Sequence, residues 1–214
     1  MITAMINDLD RLSRSRSFDC QRVTHHQWKK IMESSIEQVI RGRRTIGSFL
    51  PDLPPASEIE AAIEWSSWAP NHKKTEPWRI VWLGPETAAA VVELNSHLIA
   101  KTKGFAEAEK KRQSWSAIPG WLVVTSLRSA DSFRQEEDYA ASCCFIQNLL
   151  LALWSKKIGT KWSTGDVTRD PQFHELLEID PAQERVVGLI WYGYPAVIPE
   201  QNRHSPNSFV RKLK

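Results

Sequence analysis

Hydrophobic spacing divides the chain into an unpatterned start and a patterned remainder. Residues 1–31 are rich in Ser and Arg, with scattered apolar positions and no sustained period. They read as a flexible or loosely docked extension, or as sequence ahead of a natural start at Met32. From Met32 to about Arg41, the residues Ile36, Val39 and Ile40 recur at i, i+3 and i+4 and predict a helix. Pro51, Pro54 and Pro55 then force an extended, turning segment. Ser57-Glu58-Ile59-Glu60 reads as a capping box, in which hydroxyl and carboxylate each satisfy a free amide of the first turn. The helix it opens is predicted to run to about Trp68, with Ile59, Ala62 and Ile63 inward, until Ala69-Pro70 stops it.

Trp78 to Leu83 reads as a strand bounded by Gly84-Pro85, followed by a helix near 86–101 and a charged helix near 105–114. Pro119-Gly120 opens a second strand, Trp121 to Ser126. The segment 137–157 is apolar nearly all round, which predicts a helix buried on most sides, ended by Gly159. A short extended piece carries Lys161-Trp162-Ser163-Thr164-Gly165. A small helix near 171–177 precedes a strand from Val186 to Tyr194, and the tail from Pro195 is irregular until Ser208 to Leu213. Helices alternating with three or four strands predict an α+β sandwich, one sheet covered by helices. No strand runs into G-x-G-x-x-G, so a dinucleotide fold is not supported.

Length and composition narrow the function classes. The 214 residues fit one domain and can bury a sizeable core without disulfides or metal. A net charge of +3 is too small for a dedicated nucleic-acid binder. The positive charge gathers in short clusters such as Arg41-Gly42-Arg43-Arg44, which suits one small anion better than a duplex. Cys20, Cys143 and Cys144 offer no C-x-x-C and read as free thiols in a reducing compartment. There is no apolar leader, and the longest apolar stretch, Tyr139 to Trp154, falls short of a membrane span. A soluble cytoplasmic protein is expected. Ten tryptophans are many for this length, so several belong in the core or at a subunit interface.

Hydrolytic and metal chemistry find no motif: there is no H-E-x-x-H, no P-loop, no G-x-S-x-G and no paired histidine spacing. Three segments remain. Arg43-Arg44-Thr45 sets two guanidiniums beside a hydroxyl, a pattern that binds phosphate; a solvated basic helix end has the same composition. Ala69-Pro70-Asn71-His72-Lys73-Lys74-Thr75-Glu76-Pro77-Trp78 is either a ligand loop on a rigid scaffold or an ordinary polar connection. Trp162-Ser163-Thr164-Gly165 can present backbone amides to a flat polar ring, or be a strand end with a turn glycine.

Together and in order, these segments resemble the FMN-dependent nitroreductase family, in the branch whose loop reads A-P-x-H-K-x-x-x-P-W. Ala69, Pro70, His72, Lys73, Pro77 and Trp78 fill every fixed position of that loop. The resemblance extends to Arg43-Arg44-Thr45, to Gln147-Asn148-Leu149-Leu150-Leu151-Ala152, to Trp162-Ser163-Thr164-Gly165, and to the strand ending Gly193-Tyr194-Pro195. It covers residues 32–214 and leaves 1–31 as an N-terminal extension.

The resemblance implies a mainly antiparallel sheet flanked by helices, in an interlocked homodimer with FMN at two interface sites. Arg43, Arg44 and Thr45 would hold the phosphate and ribityl chain. Trp68 and His72 match positions that contact FMN, and Lys73 or Lys74 would supply positive charge at the ring. Trp162, Ser163, Thr164 and Gly165 match a second contact segment, contributed by the other subunit, and Arg211 in the tail is a further phosphate candidate. NAD(P)H would deliver hydride to the flavin, and a nitroaromatic, quinone or similar acceptor would take it, in ping-pong order. One position departs: the branch often has Arg after the tryptophan, where this chain has Ser163, removing a charge near the flavin or substrate. The alternatives are a same-fold enzyme with other flavin chemistry, or a flavin-binding protein with little turnover.

Overall fold

The structure, a computed structural model, describes residues 36–213. The extension over 1–31, the helix start at Met32, and Cys20 lie outside the described residues. Residues 36–42 are helical and belong to a unit of their own, Met1–Gly42. Within it Glu37 and Arg41 pair at 3.1 Å across one turn, in the order the helix dipole favours.

The second unit, from Arg43 onward, is built on a sheet of four antiparallel strands in the order β1-β2-β4-β3. They are β1 (Trp78–Trp82), β2 (Gly120–Leu127), β3 (Gly159–Ser163) and β4 (Glu184–Gly193). Five helices cover it: α1 (Ala56–Ser66), α2 (Pro85–Lys103), α3 (Phe105–Ser116), α4 (Ser132–Ser155) and α5 (Pro171–Leu176). Alternation along β2 and β4 feeds two cores. Leu122, Val124, Ile190 and Tyr192 face α1 and α4, while Trp121, Val123, Leu189 and Trp191 face α2, α3 and α5. Strands buried on both faces read as unbroken apolar runs, which is why both stood out in the sequence. The fold is therefore the expected α+β sandwich. Three of the ten tryptophans close the second core, Trp191 lying 5.0 Å from Trp115 and 5.6 Å from Trp121 between ring centroids.

Several expected boundaries move. The capping box does not form. Pro55, whose ring already holds φ at −55°, is the N-cap, and the helix starts at Ala56 without a side-chain cap. Ser57 thus falls inside the first turn, and Glu58 reaches Lys156 at 3.3 Å. The same helix ends at Ser66 and leaves Trp68 outside it, 84% exposed. The long helix α4 starts five residues early, at Ser132, because Asp131 accepts hydrogen bonds from the amides of Phe133 and Arg134. Its polar first turns carry no hydrophobic signal. Gly159 does not end it. Lys157 adopts φ 64°, and the amides of Lys157 and Ile158 donate to the carbonyls of Trp154 and Leu153, both at 3.0 Å. That is a Schellman cap without glycine, sealed by the buried pair Leu153 and Ile158. The tail holds only a single 3₁₀ turn, Pro206–Ser208, in place of an element over 208–213.

Gly159 serves a different purpose. A Cβ there would sit 2.6 Å from the Ile46 side chain and 2.8 Å from Pro195. The missing side chain lets residues 45–50 strap the outer side of β3. Thr45 bridges Thr160 in parallel, the Ile46 amide donates to the Thr160 carbonyl at 2.9 Å, and the Leu50 amide donates to the Tyr194 carbonyl at 2.8 Å.

Candidate functional site

The strap fixes Arg43-Arg44-Thr45 at the edge of β3. Arg44 donates through Nη1 to the carbonyl of Arg43 at 3.0 Å and through Nε to the carbonyl of Pro199 at 3.1 Å, so it ties the returning tail to the strap. Arg43 is half-buried. Burial pushes its pKa down, and the like charges of Arg203 and then Arg44 push it further. Among the described residues no carboxylate pairs with Arg43. Two positions on, Thr45 bridges Thr160, whose buried hydroxyl oxygen has no hydrogen-bond partner among the described residues. A half-buried guanidinium beside like charges gains from an anion with several acceptor oxygens. Arg203 belongs to this group and carries no motif that announces it, since it lies 159 positions beyond Arg44 in a polar tail. Arg211 is exposed in the same tail, with no described contact to the strap.

The Ala69–Trp78 loop is held by polar and apolar anchors. Asn71 closes it internally: its Oδ1 accepts from the Glu76 amide at 2.7 Å, and its Nδ2 donates to Thr75 Oγ1 at 3.0 Å. Thr75 in turn donates to the buried Asp138 carboxylate at 2.5 Å. His72 places Nδ1 2.7 Å from Glu137 Oε1. A carboxylate only accepts, so Nδ1 carries the proton. At the far end Pro77 is buried and Trp78 stacks on Phe145 of α4, centroids 5.2 Å apart. Between these anchors Lys73, Lys74 and Glu76 adopt φ of 64°, 52° and 44°, a left-handed stretch that costs non-glycine residues ~1–2 kcal/mol each. The loop is therefore over-determined by α4, and His72 spends its ring on Glu137. The exposed polar side chains of the loop are His72, Lys73, Lys74 and Glu76, of which the two lysines carry positive charge. Glu137 and Asp138 went unnoticed in the sequence because they sit in the polar first turns of α4.

The third segment ends β3. Trp162 does not point outward: its indole packs against Gly188, where a Cβ would meet Nε1 at 2.0 Å, and Nε1 donates to the Val187 carbonyl at 3.2 Å. Trp162 thus fixes the strand end that delivers Ser163, Thr164 and Gly165. The Gly165 carbonyl accepts from the amide and hydroxyl of Thr168, turning the chain sharply after Thr164. The phosphate-type segment and this one share a strand. The loop precedes β1, on the opposite edge of the same sheet. Among the described residues no cluster of His, Cys, Asp and Glu is arranged to hold a metal ion, and no helix is long and apolar enough to cross a membrane.

Comparison with known proteins agrees with this geometry. Residues 40–194 match the model of the nitroreductase family. The chain is 31% identical over 177 residues to YfhC of Bacillus subtilis strain 168, assigned by name to the NAD(P)H nitroreductases; the match spans 81% of this chain and 91% of the relative. A nitroreductase-like family protein from Bacillus cereus superposes with a TM-score of 0.72 at 27% identity, covering 84% of this chain and 95% of that one. The FMN-dependent nitroreductase NfnB of Mycobacterium smegmatis, solved in complex with NADPH, shares the fold with a TM-score of 0.70 at 15% identity, covering 86% of this chain and all of that one.

Proposed function

Since the chain belongs to the nitroreductase family, we propose that it is an FMN-dependent oxidoreductase acting as a cytoplasmic homodimer. It uses NAD(P)H to reduce electron-poor acceptors such as nitroaromatics or quinones. The observation that carries the reading is the gathering of Arg43, Arg44 and Arg203 at the β3 edge, with Arg43 half-buried and, among the described residues, facing only like charge. Bound FMN would supply the two-electron relay between nicotinamide and acceptor.

On this reading Arg43, Arg44 and Arg203 hold the phosphate, Thr45 adds a hydroxyl, and Arg211 is an additional cation from the tail. Ser163, Thr164 and Gly165 offer backbone groups from the end of β3, whose direction Trp162 sets. Lys73 brings positive charge to where negative charge develops on the reduced ring. Trp68, 84% exposed in the single chain, supplies an apolar plane that a flavin or a second protomer covers. His72 positions the loop through Glu137. The loop leads into β1 and the arginine segment straps the outer side of β3, so four strand spacings of ~4.8 Å, about 19 Å, separate them. A pocket using both therefore draws them from two chains, which supports the dimer.

The test is an absorbance spectrum of the purified protein. A flavin spectrum is expected, with FMN released on denaturation, and anaerobic NADH or NADPH should bleach it. Colourless protein that also fails to take up added FMN would overturn the reading. A flavin spectrum that neither nucleotide bleaches would favour a flavin-binding protein without turnover, the reading that Ser163 leaves open.

A further inference from the structure

A cavity of about 430 Å³ opens at the end of the sheet where Thr164 leaves β3. Arg128, Arg169, Arg185 and His174 line it together with Tyr139. The only carboxylate in its lining is Glu184, and that side chain is engaged by the Thr125 hydroxyl. The three arginines come from three elements: the end of β2, the 3₁₀ turn after β3, and the start of β4. Each is oriented by a separate contact. Arg128 donates through Nε to the Pro181 carbonyl at 2.8 Å, leaving its other donors. Arg185 lies over the Tyr139 ring, 4.2 Å from the centroid, which fixes its plane and leaves its edge open. Arg169 meets Asp166 at 3.4 Å, both highly exposed, a pairing worth little. His174 sits 3.1 Å from the Thr168 carbonyl through Nε2, so Nε2 carries the proton and Nδ1 faces elsewhere.

We propose that this cavity is an anion-recognition site, which takes the carboxylate or phosphate of a small molecule using the adjoining flavin site. Forked guanidinium donors from three directions match a planar or tetrahedral oxyanion, and a concave basic site focuses field on a small anion. Ser163 fits the same picture. The charge that the family often carries directly after the tryptophan is absent, and cationic groups stand instead beyond Thr164. The identity of the molecule rests on the oxidoreductase reading; the existence of an anion site does not. The anion has two sources: a carboxylate on the electron acceptor, or the 2′-phosphate that distinguishes NADPH from NADH.

Equilibrium titration of the purified protein, with whatever flavin it carries, tests the proposal. The probes are benzoate against benzyl alcohol, and adenosine 2′-phosphate against adenosine. At least one anion should bind ten or more times more tightly than its neutral counterpart. Arg169→Gln with Arg185→Gln should weaken that anion about tenfold or more, as expected for losing charge-assisted hydrogen bonds. Arg169→Lys should fall between the parent and Arg169→Gln, since the charge stays and the fork is lost. Flavin content should stay unchanged. In turnover, KM for the matching anionic substrate should rise while kcat and the neutral substrate are unaffected. Selective binding of benzoate assigns the acceptor carboxylate, and selective binding of adenosine 2′-phosphate assigns the nucleotide. Three results would each overturn the proposal: no anion selectivity, wild-type affinity in the double variant, or loss of FMN from it, which would give the cavity to the cofactor. If the double variant misfolds, Arg169→Gln alone, at an exposed side chain, carries the same comparison. Colourless protein that still selects an anion would sink the flavin reading and leave the anion site standing.

Discussion

Replacing Arg43 by Met should move two quantities in opposite directions. In the flavin-free protein the guanidinium is half-buried and repelled by Arg203 and Arg44. Met keeps most of the apolar stem and removes the charge. Flavin-free protein should therefore hold its stability or gain a few tenths to ~1 kcal/mol, the scale of near-surface charge interactions. FMN binding should weaken by ~1.5–3 kcal/mol, the worth of one hydrogen bond to a charged group, which is ~10- to 150-fold. The two effects separate in urea denaturation with and without FMN. At a concentration of 100 times the wild-type Kd, FMN raises wild-type stability by ~2.7 kcal/mol, and a tenfold weaker variant gains ~1.4 kcal/mol. Flavin fluorescence quenching gives the affinity directly. If flavin-free Arg43→Met loses more than ~1 kcal/mol, Arg43 is a structural residue and the inferred charge repulsion is wrong. If FMN binds as before, the phosphate lies elsewhere.

Two further outcomes follow from packing and polar anchoring. Gly159→Ala forces a Cβ to within 2.6 Å of Ile46, an overpacking that costs ~1–3 kcal/mol. The strap should loosen and FMN affinity fall alongside stability in urea; intact affinity would separate strap from site. Thr75→Val conserves volume but leaves the buried Asp138 carboxylate without its hydroxyl donor. A loss of ~1–3 kcal/mol in urea denaturation is expected, and unchanged stability would show that the hydroxyl is not what satisfies Asp138.

The sheet and its helices were legible because β2, β4 and the C-terminal two-thirds of α4 are apolar enough to announce themselves. Local chemistry was less so. Ser57 and Glu60 satisfied a motif, yet the fixed φ of Pro55 set the helix start one residue ahead of Ser57. Gly159 looked like a stop signal, yet Lys157 pays the left-handed cost and the glycine is needed for close approach of the strap. The three site segments were found in order, but their spatial relation was not. Only the parallel bridge from Thr45 to Thr160 shows that two of them share a strand. Arg203, Glu137 and Asp138 are invisible to motif reading, because each matters through a partner more than sixty positions away. The cationic cavity was missed for the same reason: Arg128, Arg169 and Arg185 are unremarkable singly.

The strap from Thr45 to Leu50 also decides how the sheet ends. An exposed strand edge invites another chain to add to it, and proteins usually blunt or cover such edges. Here the chain covers the β3 side with its own backbone, using the same residues that hold Arg43 and Arg44 in place. The outer side of β1 is left to a cheaper device. Among the described residues it has no strand partner, but it is only five residues long, enters through the buried Pro77, and carries the exposed Arg79 at its second position. Copies of this chain are thereby steered away from joining sheet to sheet. Loosening the strap would uncover a sticky edge, so Gly159→Ala, which crowds the strap, should be more prone to aggregate than the parent.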